Sequence, residues 1–407
     1  METYLDSEQI IARFKSYVEI ETTSAEDLDS YPSSAKEWDL ARKLEQELKS
    51  LGLVDVEITE YCNVLATLPA NGVEVPIFGL IAHMDTSCEA SGANVKMQIH
   101  KNYNGNKLLL SEGNELNPGD FPELLNYVGQ DIITSDGTTL LGADDKAGIT
   151  AIISACEYLL NHPEIKHGEV RLCFTPDEEI GRGTEHFPFD KFPVEFAYTI
   201  DGGEIGELNY ETFNACNAHI VFHGVNVHPG SAKNKMVNAI SIASKWQMAL
   251  PSGERPEYTE NYEGFYHTVR VQGMVDKVEM DMILRDHNME LLEKRKAYVQ
   301  NLAQLFNIEF GEGTVECRLK DCYVNMRQYI EPNYAVVEKA IKAIEDAGIE
   351  PIIRPIRGGT DGSSLSAQGI PCPNIFTGGM NFHGRFEYLP VESLLKATEV
   401  CVNLIKA

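Results

Sequence analysis

The chain has 407 residues, 43% of them hydrophobic, which is enough for a large core and fits two domains better than one. Its 34 lysines and arginines face 62 aspartates and glutamates, and the net charge of −28 argues against nucleic acid or an anionic membrane surface as a partner, because both would repel it. No apolar run is long enough for a membrane span, the N-terminal stretch lacks the basic-then-apolar pattern of a signal peptide, and the nine scattered cysteines contain no Cys-x-x-Cys pair, so the expectation is a cytoplasmic chain with reduced thiols.

Apolar residues at helical spacing (Ile10, Ile11, Phe14, Tyr17, Val18) predict a helix over residues 7–20, with Ser7 as its cap. A second helix is expected from Ser34 to Leu51, stopped by Gly52. "VEIT" and "NVLATLPA" alternate like strands, and Asn71-Gly72 reads as a hairpin turn. "VPIFGLIAHMDT" is a continuous apolar run, the pattern of a strand buried on both faces. Residues 90–135 are polar and turn-rich and give few firm elements. "TTLLGA" reads as a strand leading into a helix that extends to about Asn161. "EVRLCFTPDEE" and "FAYTIDG" are strands that end in acids, and strands alternating with helices predict an α/β layer around a largely parallel sheet.

After residue 213 the pattern changes to strand, helix, two strands, helix and strand, which predicts a small antiparallel sheet with two helices. Residues 214–324 are therefore read as a domain inserted between a first part, 1–213, and a second part, 325–407, of the larger one.

In open α/β sheets, ligands bind at the carboxyl ends of the strands. Here His83 and Asp85 follow "IFGLIA", Asp144 and Asp145 follow "TTLLGA", Glu178 and Glu179 follow "RLCFTPD", and Asp201 follows "FAYTI". A glycine-rich loop after "NIF" leads to His383. Each residue alone is an ordinary turn residue, and Asp144 could equally cap the following helix. Together, two histidines and a surplus of carboxylates on one sheet edge would repel unless a cation compensated them. Imidazole with carboxylate is a donor set for zinc, manganese or cobalt. One carboxylate shared between two ions about 3.5–4 Å apart is the pattern of a two-metal hydrolase. The adjacent pair Glu178-Glu179 suits it, with one acid binding metal and its neighbour free as general base.

The stretches "HMDT", "TTLLGADDKAG", "TPDEEIGRG", "IDGG" and "NIFTGGMNFHGR" closely resemble the M20 metallopeptidases, and the likeness covers essentially the whole chain. The long link "FPELLNYVGQDIITSDGTTLLGADDKAG" is similar to that of the tripeptidase branch. The resemblance implies an α/β, zinc-peptidase-like, three-layer catalytic domain with a mostly parallel mixed sheet. It also implies an inserted α+β, ferredoxin-like domain serving as lid and dimerisation module. The implied activity is removal of the N-terminal residue from tripeptides. Other activities of the family, as dipeptidase, carboxypeptidase or N-acyl amino-acid deacylase, are the alternative. Two zinc ions per subunit are implied, with cobalt or manganese as substitutes. By resemblance His83 and Asp201 hold one ion, Glu179 and His383 the other, and Asp144 bridges both. Glu178 is then the general base, and Asp85 orients His83. The peptide between Asp144 and Asp145 is expected to be cis. His228 is implied as an oxyanion contact, and Arg285 and Arg357 as contacts to the substrate carboxylate. Met97 stands where the family's pattern has proline, and Ser364 where a basic residue is common. The partners implied are small peptides and a second copy of the chain, through the inserted domain.

Overall fold

The computed structural model of the chain describes residues 5–26 and 28–407. The chain forms two compact units. One runs to Tyr210 and resumes over Tyr329–Arg354 and Thr360–Ala407; the other comprises Glu211–Gln328 and Pro355–Gly359.

The first unit is built on an eight-stranded sheet. Its strands lie in the order Val54–Ile58, Val64–Leu68, Val170–Thr175, Phe78–His83, Phe196–Gly202, Asn374–Phe376, Glu207–Asn209 and Ile352–Ile353. Phe78–His83 pairs in parallel with both Val170–Thr175 and Phe196–Gly202, and Asn374–Phe376 runs parallel to the latter. Val64–Leu68 is antiparallel to both of its neighbours. All six residues of Phe78–His83 are buried, as its unbroken apolar run requires. The helix Ala143–Asn161 packs against this strand and against the helices Val391–Ile405 and Ser7–Val18. Ile10, Phe14, Val18, Ala147 and Leu394 form one apolar cluster between these helices. Among the described residues no helix is long and apolar enough to cross a membrane.

Several local expectations are corrected. The first helix is capped by Asp6, whose carboxylate accepts from Gln9 N at 3.1 Å, and Ser7 is its first residue. The second helix starts at Glu37, not Ser34, and stops at Gly52 with φ 94°. Asn71-Gly72 makes no hairpin. Val170–Thr175 lies between the strands before and after it, and Asn71 and Gly72 bridge His167 instead. Most consequentially, "TTLLGA" is not a strand. Residues 138–142 run as a loop, buried from Thr139 on.

The second unit has four antiparallel strands in the order Phe265–Gly273, Lys277–Asp286, Asn214–His223 and Val315–Tyr323. Helices Ala239–Ala249 and Met289–Phe310 pack on this sheet, and Trp246, Phe222, Phe306 and Leu284 lie in the shared core. Buried and half-buried residues alternate along Lys277–Asp286, which matches one face on the helices and the other toward solvent. The unit spans Glu211–Gln328, a little wider than the expected 214–324, and also takes Pro355–Gly359 from the segment expected in the larger domain. The reason is backbone pairing: Ile356 N donates to Glu211 O at 2.8 Å and Phe213 N to Gly358 O at 3.2 Å.

Candidate active site

The parallel strands bring their carboxyl ends to one edge of the sheet, where open α/β folds place ligands. His83 is the last residue of its strand, and Asp201 the last but one of Phe196–Gly202. Glu178 and Glu179 occupy a single tight turn just after Val170–Thr175, entered through Asp177 at φ 58°. His383 lies beyond Asn374–Phe376 on a loop, itself at φ 62°.

These side chains converge as two groups. His83, Asp144 and Asp201 each present a ligand atom, all within 4.8 Å of one another, and Asp144, Glu179 and His383 do the same. Asp144 belongs to both. Its Oδ1 lies 2.8 Å from His83 Nε2 and its Oδ2 3.4 Å from His383 Nε2. His83 Nε2 is also 3.4 Å from Asp201 Oδ1, and His383 Nε2 is 2.9 Å from Glu179 Oε2. The other oxygen of Glu179, Oε1, is buried and accepts no hydrogen bond from the described residues, on a side chain only 4% exposed. A desolvated carboxylate oxygen left unmatched is unfavourable. A cation is the partner that suits it and the imidazole–carboxylate set around it, so the residues present fit divalent metal ions.

The electrostatics point the same way. Burial pushes Glu179 up to about 7, with Asp144 adding to it, and pushes Asp201 up to about 6. Glu178 is raised well above the usual carboxylate range, first by burial. Burial alone would lower the His83 pKa, but Asp201, Asp144 and Asp85 hold the ring well above the imidazole range. Hydrogen bonds to Asp144 and Glu179 lift His383 to about 11. Burial would raise Asp144, yet its bonds to His383 and His83 keep it below ordinary carboxylates. A set of acids this close keeps protons on some members and charge on its histidines unless a divalent ion supplies the positive charge.

The supporting contacts are specific. Asp85 is fully buried, and its carboxylate accepts from Glu178 N at 3.0 Å and Glu179 N at 3.1 Å. His83 Nδ1 faces Asp85 O at 3.1 Å and Asp85 Oδ1 at 3.3 Å. Asp85 thus contacts both the His83 ring and the backbone of the two glutamates. The peptide between Asp144 and Asp145 is cis. Asp145 accepts from Gly148 N at 3.1 Å and from His83 N at 3.2 Å, so the helix start is capped by Asp145 and not by Asp144. Gly148 is required there, since a Cβ would sit 1.9 Å from Ile200 O and 2.5 Å from Asp145 Oδ1.

Two acids were missed in the sequence. Asp361 starts the helix Asp361–Ala367, accepts from Thr175 Oγ1 at 2.9 Å and is pushed by burial to about 7. Glu387, 1% exposed, accepts from the backbone of residues 141, 142 and 144. Neither sits at a strand end, so the signal that found the other acids did not reach them.

The remaining expected residues belong to the second unit. His228 is exposed and its Nδ1 accepts from Gly230 N at 3.1 Å. Arg285 donates to Leu284 O at 3.0 Å and Cys216 O at 3.2 Å and lies over the Tyr323 ring. Arg357 donates to Asn261 O and Glu263 O, both at 2.8 Å, and to Thr259 Oγ1 at 2.9 Å, and it stacks against Phe213 and Phe265. Its guanidinium is thus committed to the 259–263 loop, which a substrate carboxylate would have to displace.

Two histidines and three acids gathered at the carboxyl edge of a mixed sheet, in two ligand groups sharing one aspartate, are the pattern of a dinuclear metallohydrolase. The chain belongs to peptidase family M20/M25/M40, whose sequence model matches residues 137–407. It is 52% identical over 401 residues to a peptidase T of Geobacillus sp. (strain WCH70), covering 98% of each chain. Among solved structures, a tripeptidase from Staphylococcus aureus subsp. aureus Mu50 superposes with a TM-score of 0.79 at 23% identity, covering 99% of this chain and 98% of that one. A dinuclear metal-binding peptidase of the M20 family from Bacillus subtilis superposes at 0.65 with 15% identity, covering 98% and 97%. Both structures share the fold.

Proposed function

We propose that the protein is a cytoplasmic aminopeptidase that removes the N-terminal residue of tripeptides, using two zinc ions for which cobalt or manganese can substitute. The observation that carries the reading is Asp144, one oxygen of which faces each ligand group, beside a glutamate with a buried unmatched oxygen. Identity of about half over nearly the whole length of chains named peptidase T supports the substrate class. In this reading His83 and Asp201 hold one ion, Glu179 and His383 the other, and Asp144 both. Bound there, the ions would polarise the scissile carbonyl and acidify water.

The chain's own residues do the rest. Glu178 takes the proton from the attacking water and returns it to the leaving amine as the carbon–nitrogen bond breaks. Asp85 fixes the turn that carries this base and its metal-binding neighbour. Acids at the site suit a free α-ammonium group. We keep His228 as the oxyanion contact, Arg285 and Arg357 as carboxylate contacts, and the second unit as lid and dimer module. Both arginines hold backbone oxygens in this structure, Arg285 those of Cys216 and Leu284 and Arg357 those of Asn261 and Glu263, so either would exchange these bonds for a substrate carboxylate.

The test is hydrolysis of Ala-Ala-Ala, Ala-Ala and N-acetyl-Ala by metal-depleted and zinc-restored enzyme, with Arg285→Ala and Arg357→Ala alongside. Zinc-dependent cleavage of the tripeptide, with KM raised by loss of the operative arginine, is expected. Cleavage of the acetylated substrate alone would reject the aminopeptidase reading.

A further inference from the structure

The loop 138–142 poses a problem that Glu387 solves. A buried backbone without a strand ladder needs other hydrogen-bond partners. Glu387 Oε2 accepts from Leu141 N at 2.7 Å and Gly142 N at 2.8 Å, and its Oε1 accepts from Asp144 N at 3.1 Å. Both oxygens are thereby engaged with the turn that presents Asp144. Gly142, at φ 82°, makes that turn possible.

Glu387 also belongs to the loop that supplies His383, four residues earlier. This loop is closed on itself: Glu387 N donates to Gly384 O at 3.1 Å, Met380 N to Tyr388 O at 2.9 Å, and Asn381 Nδ2 to Phe386 O at 3.2 Å. One short segment therefore places a ligand of one group and fixes the residue shared by both. Only a carboxylate meets the geometry, because glutamine has a single acceptor oxygen and would turn its NH2 toward a backbone N–H.

We propose that Glu387 is a positioning residue that couples the two ligand groups, setting the affinity of both cations through the Asp144 backbone. The proposal rests on the two-cation reading of the site. The experiment is calorimetric titration of the metal-free chain with zinc, for wild type, Glu387→Gln and Glu387→Asp, with circular dichroism and thermal unfolding of the metal-free forms. The expected result is a folded Glu387→Gln variant with affinity for both ions lowered about 10–100-fold, the usual effect of losing a residue that orients a ligand. A merely structural role would lower the unfolding temperature and leave the ion affinities of the folded variant unchanged. Wild-type affinity in the folded variant overturns the proposal, as does weakening confined to one ion. If Glu387→Gln does not fold, Glu387→Asp, which keeps the charge and withdraws it by one methylene, decides by the same criteria. Failure of the wild type to bind two ions would instead overturn the reading of the site.

Discussion

Replacing Asp85 by asparagine, a side chain of nearly the same size, tests the support of the site. The carboxylate accepts from Glu178 N at 3.0 Å and Glu179 N at 3.1 Å, one bond to each oxygen, in a fully buried setting. Asparagine keeps one acceptor and turns an NH2 toward the other amide. A hydrogen bond to a charged group contributes about 1.5–3 kcal/mol, and an orphaned buried N–H costs about 1–3 kcal/mol, so the loss is on the order of 2.5–6 kcal/mol. Its larger effect is on geometry, since the displaced turn carries both the base and the buried Glu179 oxygen. A misplacement of about 1 Å is enough to cost roughly 100-fold in rate. Calorimetric unfolding and steady-state tripeptide hydrolysis of Asp85→Asn with zinc should show a lower unfolding temperature and kcat reduced at least that far. Wild-type kcat together with an unchanged unfolding temperature would refute the assigned role.

Glu178→Gln should retain both metal ions by elemental analysis and lose about 10²–10⁴-fold in kcat, the range for a general base; normal turnover with metals bound would end that assignment. Gly148→Ala forces a methyl into Ile200 O and Asp145 Oδ1 and should destabilise the fold by about 1–3 kcal/mol or more, read by urea unfolding, and an unchanged midpoint would show that the helix start can yield. His287, stacked on Phe213 and facing Thr212 O at 3.0 Å, has its pKa lowered by burial. Below its ordinary value near 6.5 the unfolded chain therefore binds the proton more readily than the folded one, and stability falls with falling pH by at most about 1.4 kcal/mol per unit. His287→Phe should flatten that slope between pH 7.5 and 5.5; an identical slope in the variant would place the acid sensitivity elsewhere.

Periodicity and strand-end position were enough to find most of the site, because a buried parallel strand must be continuously apolar and its first polar residues mark where it leaves the core. His83, Glu178, Glu179 and Asp201 follow from that rule. The rule misread "TTLLGA", whose apolar character comes from burial in a loop held by a side chain 246 residues away from Leu141. Burial alone does not distinguish the two in a sequence.

The opposed roles of the adjacent aspartates show the division most clearly. The sequence by itself determined that Asp144 and Asp145 stand before a helix among other acids, and that so many acids need a cation. The residues alone left open whether Asp144 caps the helix, while the family resemblance implied it as the bridge. That choice is made by contacts from elsewhere in the chain: His83 N and Gly148 N engage Asp145, Glu387 fixes Asp144 N, and His83 and His383 face the two Asp144 oxygens. Likewise, Pro355–Gly359 joins the second unit through backbone pairing to Glu211 and Phe213 and through the Arg357 bonds to the 259–263 loop, none of which a local pattern shows. Local pattern fixes what a segment is made to bury, whereas partners hundreds of residues apart are chosen by hydrogen bonds that exist only after the chain has folded.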